Sequence, residues 1–216
     1  MYLRQLPVGP MKNFAYLLGP GDAPETWVVD PAWDVPALLR AVAEDGRRLA
    51  GAVVTHSHGD HCNGLPALLS AADVPVYANA EEVAFSPELR RMAGDALRPV
   101  HGGDRLRLGG WEAVFLHTPG HTPGSHCLLC EAGLVSGDTL FVGACGRCDL
   151  PGGDPEAMHR SLGEVLGALP AQTPLLPGHD YGQGRTSTLG AERAASPALA
   201  HGSVADFVAW RMRPRR

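Results

Sequence analysis

Cysteine is sparse, with 5 residues in a chain of 216. That excludes the disulfide framework of a small secreted domain and fits a reducing compartment. Long apolar runs are missing as well: no window approaches the roughly 20 apolar residues of a membrane span. The opening Met1-Tyr2-Leu3-Arg4-Gln5-Leu6-Pro7 has no apolar stretch of signal-peptide length. Positive charge is in deficit, the formal net charge being -5, so no global basic field exists to hold nucleic acid. The only basic run, Arg211 to Arg216, reads as a solvated tail, and there is neither a low-complexity linker nor a repeat of fixed period. The expectation is a soluble cytoplasmic protein, one domain over residues 1–216, with no nucleic-acid or membrane partner. A domain of this size buries roughly 70% of its unfolded surface, ample for a stable core.

What is present alternates. Phe14 to Leu18 and Thr26 to Asp30 read as short strands between Gly, Pro and Asp punctuation. Val35 to Asp45 reads as a helix, with Pro36 in its first turn and Leu38, Leu39, Val42 and Ala43 on one face. Ala52-Val53-Val54-Thr55 is an apolar strand of the kind buried on both faces of a sheet, and Leu65 to Ala72 is a short helix. Leu106 to Thr118 and Ser125 to Thr139 look like two antiparallel hairpins broken at Gly109-Gly110 and Ala132-Gly133. Pro155 to Leu169 is a helix with Met158, Leu162, Val165, Leu166 and Leu169 on one face; Leu175 to Pro177 is a last strand and Val204 to Arg211 an amphipathic helix. Interleaved sheets and helices in one chain point to a layered α/β domain.

The chemistry concentrates where strands end. His56-Ser57-His58-Gly59-Asp60-His61 follows the apolar strand and sets four metal-capable side chains within six residues. Imidazole nitrogens and carboxylate oxygens suit zinc, iron or manganese. In an extended loop His56 and His58 project to one side, and Asp60 and His61, after the small Gly59, can turn toward an adjacent point. Three more segments repeat the pattern of apolar strand, polar ligand, then glycine or proline: Thr118-Pro119-Gly120-His121, Val135-Ser136-Gly137-Asp138 and Leu176-Pro177-Gly178-His179. Together they supply five histidines and two aspartates, enough for two metals sharing Asp138.

His56-x-His58-x-Asp60-His61 followed in order by His121, Asp138 and His179 resembles the metallo-β-lactamase fold superfamily, over about Tyr16 to Tyr181. The resemblance implies a four-layer αβ/βα sandwich with the metals at one edge of the two sheets. It places His56, His58 and His121 at site one, Asp60, His61 and His179 at site two, and Asp138 between them. The implied cofactors are two divalent metal ions, zinc first with iron or manganese as the other candidates, and Asp60 is the candidate to orient the attacking water. His101, His117, His126, His159 and His201 match no ligand position.

Within the superfamily, Asp138 stands where zinc β-lactamases of this ligand pattern carry cysteine or serine, and the inserted domain of the nuclease branches is missing. Two branches remain. Ser136 to Val142, Cys145-Gly146-Arg147 and Gly178-His179-Asp180-Tyr181 resemble the hydroxyacylglutathione hydrolase (glyoxalase II) group, which implies hydrolysis of a thioester or ester, glutathione-linked in that group, with Tyr181 facing substrate. Asp149 departs from the tyrosine usual there, and the stretch after Tyr181 is shorter than a helical glutathione-binding domain. Gly146-Arg147-Cys148-Asp149, Ser187-Thr188-Leu189, Glu192-Arg193 and Pro197-Ala198-Leu199 resemble the persulfide dioxygenases, which implies one Fe(II) on His56, His121 and Asp138. The hydrolase is the favoured reading, acting on a small molecule, and a homodimer is compatible with it. A non-catalytic metal-binding module is the third, disfavoured because no ligand position is lost.

Three weaker signals remain. Cys127/Cys130 and Cys145/Cys148 form two CxxC pairs near zinc-ribbon spacing, yet strand alternation would point Cys127 and Cys130 apart, leaving buried thiols as the expectation. Arg147 offers a two-pronged donor for a substrate carboxylate or for Asp149 or Asp154. Asp30-Pro31 reads as a structural turn beside the metal site.

Overall fold

Period-two alternation sorts the side chains of each buried strand between two cores. In the strand holding Phe14 to Leu18, Ala15 and Leu17 join one cluster while Phe14, Tyr16 and Leu18 join another. Val28 and Ala52 go with the first, Trp27, Val29 and Val53 with the second. The molecule, here a computed structural model describing residues 1–108 and 110–213, is layered accordingly. Gly109 of the expected hairpin turn, and Pro214, Arg215 and Arg216 of the basic run, lie outside the described residues.

One six-stranded sheet runs β1 (Tyr2–Val8), β2 (Asn13–Gly19), β3 (Glu25–Val29), β4 (Arg48–Val53), β5 (Val76–Asn79), β6 (Leu97–Val100) in spatial order. β1 to β3 pair antiparallel, and β3 to β6 parallel. Helices α1 (Val35–Glu44), α2 (Gly59–Cys62), α3 (Leu65–Ala71), α4 (Ala80–Phe85) and α5 (Pro87–Ala93) provide its connections. α1, α3 and α5 contribute Leu38, Leu65, Leu68 and Leu89 to the outer core of this sheet.

The other sheet holds β7 (Arg105–Leu108), β8 (Trp111–His117), β9 (His126–Cys130) and β10 (Gly133–Gly137), the two expected antiparallel hairpins. A small hairpin, β11 (Leu140–Phe141) with β12 (Ala144–Cys145), follows, and β13 (Pro174–Pro177) pairs parallel to β10 with β14 (Ser187–Thr188) at the edge. Leu128, Val135 and Leu176 face the first sheet, whereas Cys127, Leu134 and Leu175 face away. They pack there against α6 (Pro155–Arg160), α7 (Leu189–Ala195) and α8 (Val204–Arg211) through Met158, Leu189 and Phe207. The αβ/βα sandwich expected from the sequence is the fold.

Boundaries differ most in two places. The strand read over residues 52–55 begins earlier, at Arg48, and ends at Val53. The helix read over residues 155–169 is α-helical only to Arg160; a π-helical turn, Ser161–Val165, follows, closed by Leu166 N–H onto the Ser161 carbonyl. Ser161 Oγ is drawn to the Pro119 carbonyl at 2.7 Å, and Gly163 and Gly167 weaken the helix beyond it. The apolar face nevertheless falls as read, with Met158, Leu162 and Leu166 buried and Val165 and Leu169 packed against them.

Candidate metal centre

Cross-sheet hydrogen bonds pull the strand-end loops together. His126 N–H donates to the Thr55 carbonyl at 3.1 Å, Phe14 N–H to the Gly178 carbonyl at 2.8 Å, and Asn13 bridges to His179. Buried Glu82 of α4 clamps two loops: its carboxylate accepts from Ser57 N–H (2.7 Å), Thr122 Oγ1 (2.7 Å) and Gly124 N–H (2.9 Å). His56 and His58 therefore sit after β4, Asp60 and His61 on α2, His121 between β8 and β9, Asp138 after β10 and His179 after β13. All seven meet at one edge of the sandwich.

Three overlapping groups have their donor atoms within 4.8 Å of one another: His56, His58, His121; His56, His61, Asp138; and Asp60, His61, His179. These are the two triads expected from the sequence, joined by Asp138. Its two oxygens divide the task. Oδ2 lies 3.4 Å from His121 Nε2, while Oδ1 lies 3.3 Å from His61 Nε2 and 3.4 Å from His179 Nε2.

The far nitrogens of the rings have acceptors that orient them. His121 Nδ1 is 2.7 Å from the Arg147 carbonyl, His179 Nδ1 is 2.9 Å from the Met11 carbonyl and His61 Nδ1 is 2.8 Å from Asp30 Oδ2. His56 Nδ1 is 3.1 Å from Thr55 Oγ1, whose own proton goes to Asp30 Oδ2 at 2.8 Å. Each Nδ1–H thus donates outward, and each Nε2 lone pair faces the cluster. His58 uses the other nitrogen, its Nδ1 standing 2.9 Å from His121 Nε2. His61 Nε2 and His179 Nε2 approach to 3.1 Å.

Lone pairs brought this close require positive charge between them. His56 Nε2 and Asp138 Oδ1 are buried without a hydrogen-bond partner, the signature of groups shaped for a cation rather than for each other. The electrostatics agree. Burial pushes His61 down, but the Asp138 and Asp30 carboxylates outweigh it and hold the ring well above its ordinary value. Burial pushes Asp138 up, and the charge on His61 and the His179 contact reverse this, leaving it well below the carboxylate range. Burial holds His56 well below its ordinary value and lowers His58 as well. The donor set fits divalent metal of the zinc, iron or manganese class.

A cavity of about 640 Å³ opens onto the cluster, and both Arg147 and Tyr181 line it. Tyr181 stacks on His179 with centroids 4.4 Å apart and planes 9° apart. Arg147 is engaged by Asp149 through two bonds of 2.9 Å, one of the two fates open to it in the sequence. Asp30 is no member of the donor groups; it is the hub that orients Thr55 and His61, more than the turn read from Asp30-Pro31. Asn13, buried at the start of β2, passes unnoticed in the sequence. Its Nδ2 donates to Asp60 Oδ2 at 2.9 Å, and Trp33 Nε1–H, a donor only, fixes the amide by bonding Oδ1 at 3.2 Å. A mixed-polarity strand start gives no signal for such a role, and Glu82, beside Glu81 on a short helix, reads as solvated. The CxxC pairs hold no site: Cys127 and Cys130 face different cores, and no cysteine enters a candidate donor group among the described residues. Burial pushes the Cys127 thiol up to about 11 and the Cys148 thiol up to about 12, as expected of inert thiols.

Comparison with known proteins agrees with this geometry. Residues 8–179 match the model of the metallo-beta-lactamase superfamily. A hydroxyacylglutathione hydrolase from Alkalilimnicola ehrlichii is 41% identical over 156 residues, covering 71% of this chain but 56% of its own length; this chain thus spans little more than half of that relative. The crystal structure of ETHE1 from Myxococcus xanthus is similar with a TM-score of 0.86 and 28% identity, covering 100% of this chain and 93% of the other. That of TTHA1623 in a di-iron-bound form has a TM-score of 0.77 and 33% identity, covering 91% and 100%. No helix among the described residues is long and apolar enough to cross a membrane. With residues 8–179 matched to its model, the chain belongs to the metallo-beta-lactamase superfamily.

Proposed function

We propose that the chain is a dinuclear metal-dependent hydrolase of thioesters or esters, and the observation that carries this reading is the preformed second triad. Asp60, His61 and His179 bring their donor atoms together beside the first triad, and Asp138 turns one oxygen to each. His56, His58 and His121 would hold one cation and Asp60, His61 and His179 the other. Bound there, such a pair supplies Lewis acidity, lowering the pKa of a coordinated water toward about 7 and polarising a carbonyl oxygen. The chain's residues do the rest. Asp60, its Oδ2 fixed by Asn13, is placed at the cavity to accept a proton from the attacking water and keep its lone pair aimed at the acyl carbon. The outward Nδ1–H bonds hold the imidazoles in the tautomer that serves as donor. Phe141 and Tyr181, edge to face at 5.5 Å, screen the His179 side from bulk water. The similarity to hydroxyacylglutathione hydrolases and to a di-iron protein supports the reading.

The full-length similarity to ETHE1 supports a second reading, a persulfide dioxygenase with one Fe(II) on His56, His121 and Asp138. Metal counting on protein purified without added metal, with thioester and glutathione-persulfide assays side by side, separates them. Two equivalents and thioester cleavage are expected. One iron per chain with sulfite production refutes the hydrolase.

A further inference from the structure

The part of the cavity not made by candidate ligands is almost wholly uncharged. Met11, Phe141, Ala144, Cys145, Leu150 and Tyr181 line it. The aromatic wall is mutually packed: Tyr181 is stacked flat on His179, and Phe141 meets both rings edge-on, at 5.7 Å and 5.5 Å. Met11 and Tyr181 are 47% and 51% exposed, two of the few large apolar side chains left open on this surface. Apolar groups exposed at a cavity mouth gain from a ligand that covers them.

Among the described residues, Arg147 is the one lysine or arginine lining the cavity, and it is already engaged. Arg147 Nε and Nη2 bond the two oxygens of Asp149, both at 2.9 Å, the fork-on-fork arrangement a substrate carboxylate would otherwise make. Asp149 stays ionised, since Arg147 holds its carboxyl down to about 2. A charged carrier would have to exchange one carboxylate for another at Arg147, with little net gain. An apolar group meets no such competitor.

We infer that the site selects its substrate by an apolar acyl group, and that the thiol or alcohol carrying that group contributes little to recognition. This rests on the hydrolase reading above. In the step concerned, the oxygen of water bonds to the acyl carbon and the carbon–sulfur bond breaks with its electron pair on sulfur. The products are a carboxylate and a thiol, with one proton released at neutral pH. A cavity of about 640 Å³ is within the range that buries most of a medium-sized ligand. Each methylene that enters it should raise kcat/KM roughly three- to four-fold, the value of a buried CH2.

The test uses the metal-loaded full chain and thioesters of straight-chain acids from acetyl to octanoyl, each on neutral N-acetylcysteamine and on glutathione, with released thiol measured. The expected result is a kcat/KM that climbs roughly three-fold or more per methylene over the shorter acyl groups, with the two carriers within about five-fold of each other. Leu150→Asn, at the half-buried rim, should lower the octanoyl-to-acetyl ratio about ten-fold. A flat or falling acyl series, or cleavage of the glutathione thioesters alone, overturns the inference and leaves the hydrolase standing. Absence of turnover on every thioester sinks both.

Discussion

Asp30→Asn separates the orientation of His61 from the fold around it. Asp30 sits at φ +53°, in the left-handed region that asparagine also tolerates, so the backbone has no reason to move. Its Oδ1 accepts from Thr55 N–H at 2.7 Å, and its Oδ2 accepts from both Thr55 Oγ1 and His61 Nδ1 at 2.8 Å. An asparagine can keep its oxygen on the Thr55 amide, which places an NH₂ against the other two. The threonine hydroxyl can rotate and accept. His61 cannot keep its Nδ1–H facing a donor, so the proton must move to Nε2, the nitrogen aimed at Asp138 and His179. Loss of one charge-assisted bond costs about 1.5–3 kcal/mol, equivalent to roughly 10- to 150-fold in affinity, in line with the 10- to 100-fold usual for residues that orient metal-binding histidines. Titration calorimetry with Zn²⁺ on chelator-stripped protein should show the second equivalent weakened by that factor and the first within about three-fold. Co²⁺ absorption spectra give an independent count, and a melt of the stripped variant checks that the fold persists. Unchanged affinity at the second equivalent would refute the reasoning. Equal weakening at both sites would mean that Asp30 acts through the fold instead.

Asn13→Ala removes the donor that pins Asp60 Oδ2, and the second equivalent should bind about ten-fold more weakly; Trp33→Phe, which frees the Asn13 amide to turn, should move the same constant in the same direction by less, as competition with a chromophoric chelator would reveal. Protons and cations compete for these rings: His61 is held well above its ordinary 6.5 and so takes a proton as pH falls while His56, held well below it, stays neutral. The second equivalent should therefore leave at higher pH than the first in a metal-buffered titration, and simultaneous loss would contradict this. Burial lowers His126 from 6.5 to about 4. Because the folded form takes up its proton later than the unfolded chain, this stability is complete above about pH 6.5 and is lost as pH falls toward 4, on the order of 3 kcal/mol in all. His126→Leu should flatten the urea-unfolding free energy over that window by this amount.

The sequence carried the fold because its cues are local and repeated. Alternation in Phe14 to Leu18 assigns two cores, and the apolar faces of α1 and α6 assign the outer layers. The helix ending at Arg160 was not legible, since the Ser161 bond to the Pro119 carbonyl joins residues 42 apart in the chain. The same distinction runs through the site. The seven donors were readable because His56 to His61 follow one apolar strand and His121, Asp138 and His179 each follow another, and strand ends of a layered α/β sandwich meet at an edge. Residues that hold the donors were not. Asn13 reaches Asp60 across 47 positions and Glu82 reaches Thr122 across 40, in sequence contexts that look like a strand start and a solvated helix.

This division bears on function. Both chemistries compatible with the sequence share His56, His121 and Asp138, so the donor list cannot choose between them. What differs is whether the second triad is filled, and its donors are held by residues whose orienting role the sequence did not show: Asp30, read only as a turn, fixes the His61 tautomer, and Asn13 fixes the Asp60 oxygen. The oxygenase reading calls on His56, His121 and Asp138 alone, whereas the buried carboxylate of Asp30 and the buried amide of Asn13 orient His61 and Asp60. Burying both costs desolvation that their hydrogen bonds only offset. Their presence is accounted for if Asp60, His61 and His179 hold a cation, the condition on which the proposed hydrolase rests and which metal counting tests directly.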